Sequence, residues 1–317
     1  MEMDQQKVRQ NAYRITNQEG KVALRVRVPG GHLKAEYLSI LEEIAQDYGN
    51  GTLHITSRQG FEIPELDWEN IELINKKISP LLKGLKEELG VKIVDIEAGY
   101  PAAGTRNIIA CIGDRVCRLS HCDATEFAQE IERAIYPDHR NLKVGISGCA
   151  NDCMKVHLQD FGIIAMIKPL YIEERCIDCD RCVEVCRDRA RAALSYQGPN
   201  LRLDNQRCIG CGECISECPT GAWRGEGPYY KLLIMGRTGK KNPRLASTFL
   251  KWTTKEVIIQ ILNNAYQYID KHIDSAKSKE YISYIVDRTG YPLFKEELLQ
   301  NVELNSEAQL TKHINFK

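Results

Sequence analysis

The chain has 317 residues, of which 43% are hydrophobic and 27% are charged. This length and composition predict about two folded domains with ordinary buried cores and exclude an intrinsically disordered chain. The 43 basic and 43 acidic residues give a formal net charge of zero. No overall field therefore favours nucleic acid or an anionic membrane surface as a partner.

Residues 1–90 show alternating strand and helix patterns. The predicted elements, in chain order, are strand 22–28, helix 36–48, strands 52–56 and 60–63, and helix 70–89. Pro80 is expected to break or kink the last helix, because proline lacks the backbone N–H and clashes with the preceding turn. Elements of this order and size predict a small α+β half domain of the ferredoxin-like fold.

Residues 91–168 and 223–317 continue in the same α+β style and are predicted to form a second domain. The predicted elements are strands 91–97, 107–111, 142–147, 161–167 and 229–235, helices 125–136 and 254–271, a basic glycine loop at 236–244, and one more helix with a polar tail in 278–317. Asp123 and Glu126 are spaced as a capping box at the start of helix 125–136. Strand 161–167 is almost entirely apolar, which predicts that it is buried.

Eight of the thirteen cysteines form two runs with the spacing C-x2-C-x2-C-x3-C. In the bacterial ferredoxin pattern the fourth cysteine of each run binds the cluster of the other run. Two 4Fe-4S clusters are therefore predicted, one on Cys176, Cys179, Cys182 and Cys218, the other on Cys186, Cys208, Cys211 and Cys214. Zinc is the alternative, but zinc ribbons use two C-x2-C pairs and have no reason for a further thiolate three residues later. Residues 169–222 are interpreted as a two-cluster ferredoxin module inserted into a loop of the larger domain.

A second set of cysteines lies outside the ferredoxin-like runs. Cys111 and Cys117 form C-x5-C, and Cys149 and Cys153 form C-x3-C in a glycine-flanked turn after a predicted strand. Such a turn places two thiolates and several backbone N–H groups close together, which suits an iron-sulfur cluster. Cys122 is interpreted as a buried apolar thiol. It could instead replace Cys117 as a ligand, although the spacing favours Cys117.

The C-x5-C and C-x3-C pair resembles the hallmark of the sirohaem sulfite and nitrite reductases. The sequence around Asn107, the strand and turn from 143 to 149, and the loop 236–243 also resemble that family. With its two-cluster insertion and single reductase repeat, the chain is most similar to the anaerobic sulfite reductases of the family. The resemblance implies sirohaem and a third 4Fe-4S cluster on the four cysteines, with Cys153 as the thiolate shared with the sirohaem iron.

The resemblance also implies a cationic site for sulfite, because a dianion and a carboxylate-rich macrocycle need several cations once they leave water. The anion-binding positions of the family correspond to Arg58, Arg106 and Lys143. Asn141 departs from the family pattern, which often has lysine there, so preference between sulfite and nitrite stays open. Further candidates for the cofactor carboxylates are Arg115, Arg140, Arg237, Lys240 and Lys241. For Arg115 and Arg237 the sequence favours ordinary surface charges.

Larger members of the family contain two reductase repeats, whereas this chain contains one. The resemblance therefore implies that the active site is completed by another protein chain, most simply in a homodimer or else in a hetero-oligomer. No dinucleotide fingerprint follows a strand, so electrons are expected to come from a donor protein, ferredoxin-like or oxidising a flavin or NADH. A nitrite reductase and a sirohaem-free electron-transfer protein remain the alternatives to a sulfite reductase.

The location of the protein in the cell is predicted from its amino-terminal segment. Residues 1–30 carry six basic side chains and lack the apolar core of a signal peptide. No apolar stretch approaches the roughly 18 residues of a membrane span. A cytoplasmic protein is expected, and in that reducing compartment cysteine-rich chains more often bind metal than form disulfides.

Overall fold

The computed structural model contains two sheets, each covered by helices, and a smaller cysteine-rich segment. It describes residues 12–91, 107–136, 140–198, 200–239, 241–276, 280–312 and 314. The predicted strand 91–97 lies outside these residues, except for Val91. Within the described ranges, no helix has the length and apolar character needed to cross a membrane.

The amino-terminal unit is a four-stranded antiparallel sheet with two helices. Its strands are β1 (Tyr13–Ile15), β2 (Lys21–Val26), β3 (His54–Ile55) and β4 (Phe61–Asp67), in the order β1-β2-β4-β3, and its helices are α1 (Leu38–Tyr48) and α2 (Ile71–Leu89). Every second residue of β2 (Val22, Leu24 and Val26) and the residues Ile63 and Leu66 of β4 are buried, so one face of the sheet packs against a core shared with both helices. The predicted α+β arrangement of this half is observed.

The sequence predicts a break or a kink in helix α2 at Pro80; the helix is continuous from Ile71 to Leu89, so Pro80 does not break it. The Pro80 ring is exposed, while apolar residues such as Ile74, Ile78 and Leu82 on the opposite face are buried in the core. Burial of that stripe holds both halves of the helix on the sheet and outweighs the lost hydrogen bond.

The larger unit is built on a mixed six-stranded sheet. Its strands are β5 (Ile109–Ala110), β6 (Val144–Ser147), β7 (Phe161–Tyr171), β10 (Trp223–Ile234), β11 (Ser247–Thr253) and β12 (Gln309–Leu310), in the order β12-β11-β10-β7-β6-β5. The pairs β5 with β6 and β6 with β7 are parallel, and the remaining pairs are antiparallel. Strands β7 and β10 are longer than predicted, and β11 and β12 have no counterpart in the predicted elements.

Four helices pack on or beside this sheet. They are α3 (Ala124–Ile135), α6 (Lys255–His272), α7 (Ile282–Thr289) and α8 (Tyr291–Leu298). The capping prediction is confirmed, because the Asp123 side chain accepts a hydrogen bond from the Glu126 backbone N–H at 2.9 Å. The single carboxy-terminal helix predicted for 278–317 is instead two short helices separated at Gly290, whose φ of 93° ends α7.

Residues 172–222 leave the large sheet at the end of β7 and return to it at the start of β10. Trp223 pairs with Tyr171 at that point, so the two strands form one long antiparallel pair on either side of the segment. The segment contains α4 (Arg181–Arg189), a hairpin of β8 (Leu194–Gln197) and β9 (Asn200–Leu203), and the short α5 (Glu213–Ser216).

A buried ion pair joins the two units. Arg27 Nη2 lies 2.7 Å from Glu132 Oε2, and the two side chains are 2% and 0% exposed. Next to it, the Gly30 backbone N–H donates to the Ile108 carbonyl at 3.0 Å. The amino-terminal unit therefore contacts the larger unit at α3 and just before β5.

Candidate cluster and anion site

Two of the cysteine pairs lie at the carboxyl ends of neighbouring parallel strands. Strand β5 ends at Ala110 and is followed directly by Cys111, and β6 ends at Ser147, two residues before Cys149. Because the carboxyl ends of adjacent parallel strands meet at one edge of a sheet, the fold brings the C-x5-C and C-x3-C segments together there. We call the four cysteines of these two segments the strand-end thiols; they are Cys111, Cys117, Cys149 and Cys153.

The strand-end thiols share one electrostatic environment. Burial raises the pKa of the Cys149 thiol, a hydrogen bond from the Asn151 backbone N–H lowers it, and the neighbouring Cys117, Cys153 and Cys111 raise it further. All three of the other strand-end thiols thus act on Cys149. Crowded thiolates repel one another unless a cationic centre neutralises them, so this donor set fits a 4Fe-4S cluster.

The backbone after β6 approaches the sulfurs closely. The Gly148 N–H donates to Cys111 Sγ at 3.0 Å. A Cβ at position 148 would collide with Ser120 Oγ and would lie 3.2 Å from Cys111 Sγ. Only glycine fits this approach, and N–H donors to cluster sulfurs are one means by which a protein tunes reduction potential.

Asp152 holds the turn between the last two strand-end thiols in place. Its carboxylate accepts hydrogen bonds from Ser147 Oγ at 2.9 Å and from the Val156 backbone N–H at 2.8 Å. The second carboxylate oxygen lies 2.6 Å from His157 Nδ1, and Asp152 has a φ of 47°. Sequence reasoning missed this residue, although Asn151-Asp152 is a pair typical of turns that need positive φ.

Cys122 is buried in the core of the larger unit, where it is 5% exposed, and Cys111 packs against the same core. Burial, followed by the effect of Cys111, raises the pKa of its thiol to about 12, and a hydrogen bond from the Tyr230 hydroxyl lowers it. The structure thus places Cys122 as a packed thiol.

The other eight cysteines line two cavities in segment 172–222. The first cavity is lined by the first-cavity thiols, Cys186, Cys208, Cys211 and Cys214. The second cavity is lined by the second-cavity thiols, Cys176, Cys179, Cys182 and Cys218. Each cavity therefore combines three cysteines of one run with the fourth of the other, which is the exchanged arrangement that the spacing predicts.

The two cavities differ in burial. Cys186, Cys208 and Cys214 are buried, whereas none of the second-cavity thiols is, and Cys179 is exposed. Backbone N–H groups reach sulfurs in both sets: Ala193 donates to Cys186 Sγ and Ala222 to Cys218 Sγ, each at 3.2 Å.

Arg58 binds the polypeptide itself. Its guanidinium donates to the Asn107 carbonyl at 2.9 Å, the Val144 carbonyl at 2.9 Å and Gln159 Oε1 at 2.8 Å. The next residue, Gln59, exchanges two 2.8 Å hydrogen bonds with the backbone of Ala110. The turn that carries Arg58 is thus fixed along β5, and Arg58 lies at the amino ends of β5 and β6.

Lys143 lies at the same amino-terminal edge, directly before β6. Its backbone N–H donates to Asp160 Oδ2 at 2.8 Å, and its Nζ lies 3.8 Å from Asp160 Oδ1. The Lys143 side chain is 17% exposed. Arg106, adjacent to Asn107, lies outside the described residues. The length of β6, roughly 10 Å for three residue steps, separates this edge from the strand-end thiols.

The remaining cationic candidates do not converge on one point. Arg115 lies in the loop of the first two strand-end thiols, where it donates to Thr125 Oγ1 at 2.6 Å and contacts Asp123 at 3.5 Å. Arg140 is 41% exposed and forms an ion pair with Asp270.

Arg237 is 4% exposed, and its Nη1 lies 2.6 Å from Asp287 Oδ2. It is thus buried and ion-paired, which differs from the surface charge favoured by the sequence. Lys241 is exposed, in the loop before β11, and Lys240 lies outside the described residues.

The sequence matches two families of known proteins. Residues 102–306 match the nitrite and sulphite reductase 4Fe-4S domain, and residues 15–81 match the nitrite/sulfite reductase ferredoxin-like half domain. The second range lies within the four-stranded unit that runs from β1 to α2. The first range contains five of the six strands of the large sheet, from β5 to β11, and all three thiol groups.

Curated relatives cover nearly the whole chain. One of the subunits of the anaerobic sulfite reductase from Salmonella typhimurium is 38% identical over 96% of this chain and 91% of its own length. A coenzyme F420-dependent sulfite reductase from Methanocaldococcus jannaschii is 30% identical over 88% of this chain and 42% of its own length. The chloroplastic ferredoxin-nitrite reductase of Zea mays is 26% identical over 47% of this chain and 25% of its own length.

Two solved structures share the fold. A dissimilatory sulfite reductase I (DsrI) superposes with a TM-score of 0.64 over 94% of this chain and 74% of its own, at 17% identity. The NirA protein of Mycobacterium tuberculosis superposes with a TM-score of 0.60 over 95% of this chain and 47% of its own, also at 17% identity. The similarity therefore extends across both sheets.

Proposed function

Since the chain belongs to the nitrite and sulphite reductase family, we propose that it catalyses the six-electron reduction of sulfite to sulfide. The observation that carries this proposal is the similarity, along 96% of the chain, to one of the subunits of an anaerobic sulfite reductase. The nitrite reductase relative from maize matches only 47% of the chain. Because the Salmonella relative is one of several subunits, we also propose that this protein works within a multi-subunit complex.

The strand-end thiols are proposed to hold a 4Fe-4S cluster and, through Cys153, the sirohaem iron. Cys153 is exposed, whereas the other three thiols are partly buried, so its sulfur is the most accessible to a bound macrocycle. The loop that carries Cys111 and Cys117 also presents three exposed apolar side chains: Ile112 is 53% exposed, Val116 75% and Leu119 44%. The apolar ring face of the macrocycle would cover these side chains, which otherwise face water at a cost. When bound, sirohaem supplies an iron that accepts single electrons and binds the sulfur anion.

The cations are proposed to divide between cofactor and substrate. The sirohaem carboxylates are proposed to bind to four cationic side chains: Arg115, Arg140, Lys240 and Lys241. Arg58, Arg106 and Lys143 remain the candidates for sulfite. Arg237 is buried against Asp287, so its charge is already neutralised, and we assign it to the fold rather than to the cofactor.

Residues 169–222 are proposed to be an inserted two-cluster ferredoxin module, which raises the number of 4Fe-4S clusters to three. The proposed domain limits are 1–90 for the half domain, with 91–168 and 223–317 for the reductase domain. The exchanged lining of the two cavities supports this proposal, as does the return of the chain to the same strand pair. Electrons would pass from a donor protein through the module to the strand-end cluster.

A second copy of the chain is proposed to complete the active site. Within one chain, Arg58 and Lys143 lie at the amino ends of β5 and β6, while the strand-end thiols lie at the carboxyl ends. Sulfite bound at the sirohaem iron next to Cys153 would therefore be distant from these cations. In a homodimer that brings these two opposite edges together, the cations of one copy would lie next to the strand-end thiols of the other copy. Each active site would then contain both sets of residues.

The optical spectrum of protein purified without oxygen tests the proposed function. We expect a Soret band and a long-wavelength chlorin band, both shifted when sulfite is added to the reduced protein, with about a dozen cluster irons per chain. Sulfide release from sulfite should exceed ammonia release from nitrite. A protein with the cluster irons and no chlorin bands would serve electron transfer alone, and the proposal would be wrong.

A further inference from the structure

We infer that His121 is the bridge by which the first-cavity cluster passes electrons to the strand-end cluster. This inference rests on the proposed function and adds to it an order among the clusters. The second-cavity cluster receives electrons from the donor, the first-cavity cluster relays them, and the strand-end cluster takes them last. His121 would be a positioning residue in this route, since it joins two cofactor sites and contacts no substrate.

The His121 side chain reaches the first cavity. Its Nε2 lies 3.3 Å from the carbonyl oxygen of Cys211, and because a carbonyl can only accept, Nε2 carries the proton and donates. The imidazole also packs on the backbone of Gly212, where an added Cβ would lie 3.0 Å from His121 Cε1. A side chain at position 212 would push the ring away, so this glycine permits the contact.

The backbone of His121 is tied to the strand-end thiols. Its N–H donates to the Gly148 carbonyl at 2.8 Å, and the Gly148 N–H in turn donates to Cys111 Sγ at 3.0 Å. Gly148 also precedes Cys149 in the chain. A continuous path of covalent bonds and hydrogen bonds therefore connects Cys211 to Cys111 and Cys149 through His121 and Gly148.

The second-cavity thiols have no comparable connection to the strand-end thiols among the described residues. They lie beside the first cavity instead, since Cys182 and Cys218 pack against the same buried cluster that contains the first-cavity thiols Cys186, Cys208 and Cys214. Cys179 is exposed and Ile177 beside it is 61% exposed. The accessible second cavity thus suits contact with a donor protein, and the more buried first cavity suits a relay.

The proposed step transfers one electron and moves no atom. The group held by the first-cavity thiols loses one electron and is oxidised. The group held by the strand-end thiols gains that electron and is reduced. The donor protein, a one-electron reductant such as a ferredoxin-like protein, then reduces the group held by the first-cavity thiols again, by way of the second-cavity site.

Substitution of His121 in the intact protein tests the order. His121→Phe keeps a ring against Gly212 and removes the Nε2 donor, whereas His121→Gln keeps a side-chain N–H near the Cys211 carbonyl. Oxidised protein is mixed rapidly with a limiting amount of reduced methyl viologen, and the reduction of each centre is followed by absorption and by freeze-quench electron paramagnetic resonance. In His121→Phe we expect the strand-end cluster to be reduced several-fold more slowly, while the rate of reduction of the first-cavity cluster is unchanged. In His121→Gln we expect the rate for the strand-end cluster to recover.

His272 provides the matched control, because its ring packs on Tyr268 and its Nε2 lies 3.0 Å from Glu297 Oε1, remote in the chain from all three thiol groups. His272→Phe should leave every transfer rate unchanged. Equal rates in His121→Phe and the unmodified protein would overturn the inference, and so would loss of cluster iron in both His121 variants, which would indicate a purely structural role. Absence of chlorin bands would refute the proposed function alone, since the strand-end cluster can still be followed by its own resonance.

Discussion

Cys122 and Cys117 are five residues apart, yet the fold gives them opposite surroundings. Cys117 is one of the thiols that affect Cys149, while Cys122 is buried beside Tyr230. We expect Cys117→Ala to lose about a third of the cluster iron, because one of the three proposed 4Fe-4S clusters would then lack a ligand. Cys122→Ala should keep all the iron and lower the free energy of unfolding by about 1 kcal/mol for the lost buried sulfur. Iron analysis and chemical denaturation measure the two effects, and iron loss in Cys122→Ala would show that the assignment is reversed.

Spacing along the chain was enough to predict which cysteines would be neighbours, since ligand pattern alone selects them. The spacing did not predict the residues that hold these cysteines in position. Asp152 and His121 act through contacts with Ser147 and Cys211, and contacts between distant or turn residues leave no periodic signal. The Arg58 guanidinium shows the same limit: its sequence context predicts anion binding, but the folded chain presents three acceptors to it.

At the scale of elements, the pair Arg27 and Glu132 joins the segment after β2 to α3 and hence one unit to the other. Both side chains are almost fully buried, so removal of one partner leaves an uncompensated charge. We expect Glu132→Ala to lower the free energy of unfolding by roughly 3–5 kcal/mol, measured by chemical denaturation of the intact chain.

Glu126 on the same helix is the control for that substitution. Its carboxylate pairs with Arg133 at 2.8 Å, but the side chains are 53% and 35% exposed. Glu126→Ala should change stability by less than about 1 kcal/mol, as is usual for solvated pairs. A similar cost for both substitutions would show that Arg27 and Glu132 contribute no more than a surface pair.

Elements with a clear period and clear ends were predictable from sequence. Helix α3 begins one residue before its predicted start, because Asp123 caps it. The errors have physical causes: the buried face of α2 outweighs Pro80, and β11 follows the glycine loop without alternation strong enough to distinguish it. Its partner β10 supplies the hydrogen bonds that make residues Ser247–Thr253 a strand. Tertiary pairing of this kind cannot be read from one segment alone.

At the scale of the whole molecule, the two edges of the parallel part of the large sheet carry different chemistry. Thiols gather at the carboxyl ends of β5 and β6, and the candidate anion-binding cations Arg58 and Lys143 lie at the amino ends. A reductase that must deliver six electrons to one sulfur atom needs both sets at one substrate. A single chain separates them by the length of its strands, so symmetry between two copies is the simplest way to unite them.

Mixed dimers test this arrangement. Lys143→Met removes a proposed substrate cation and Cys153→Ala removes the proposed shared thiolate, so each chain alone should be inactive with sulfite. If each site takes cations from one copy and thiolates from the other, one of the two sites in a mixed dimer contains neither substitution. Co-expression of the two chains with different affinity tags, followed by tandem purification, should then restore up to about half of the activity per dimer. Lys143→Arg, which keeps the charge, serves as the control for folding, with cluster iron and circular dichroism measured for every variant. Mixed dimers that stay inactive while both parent chains retain their fold and their remaining clusters would show that each site is built within one chain.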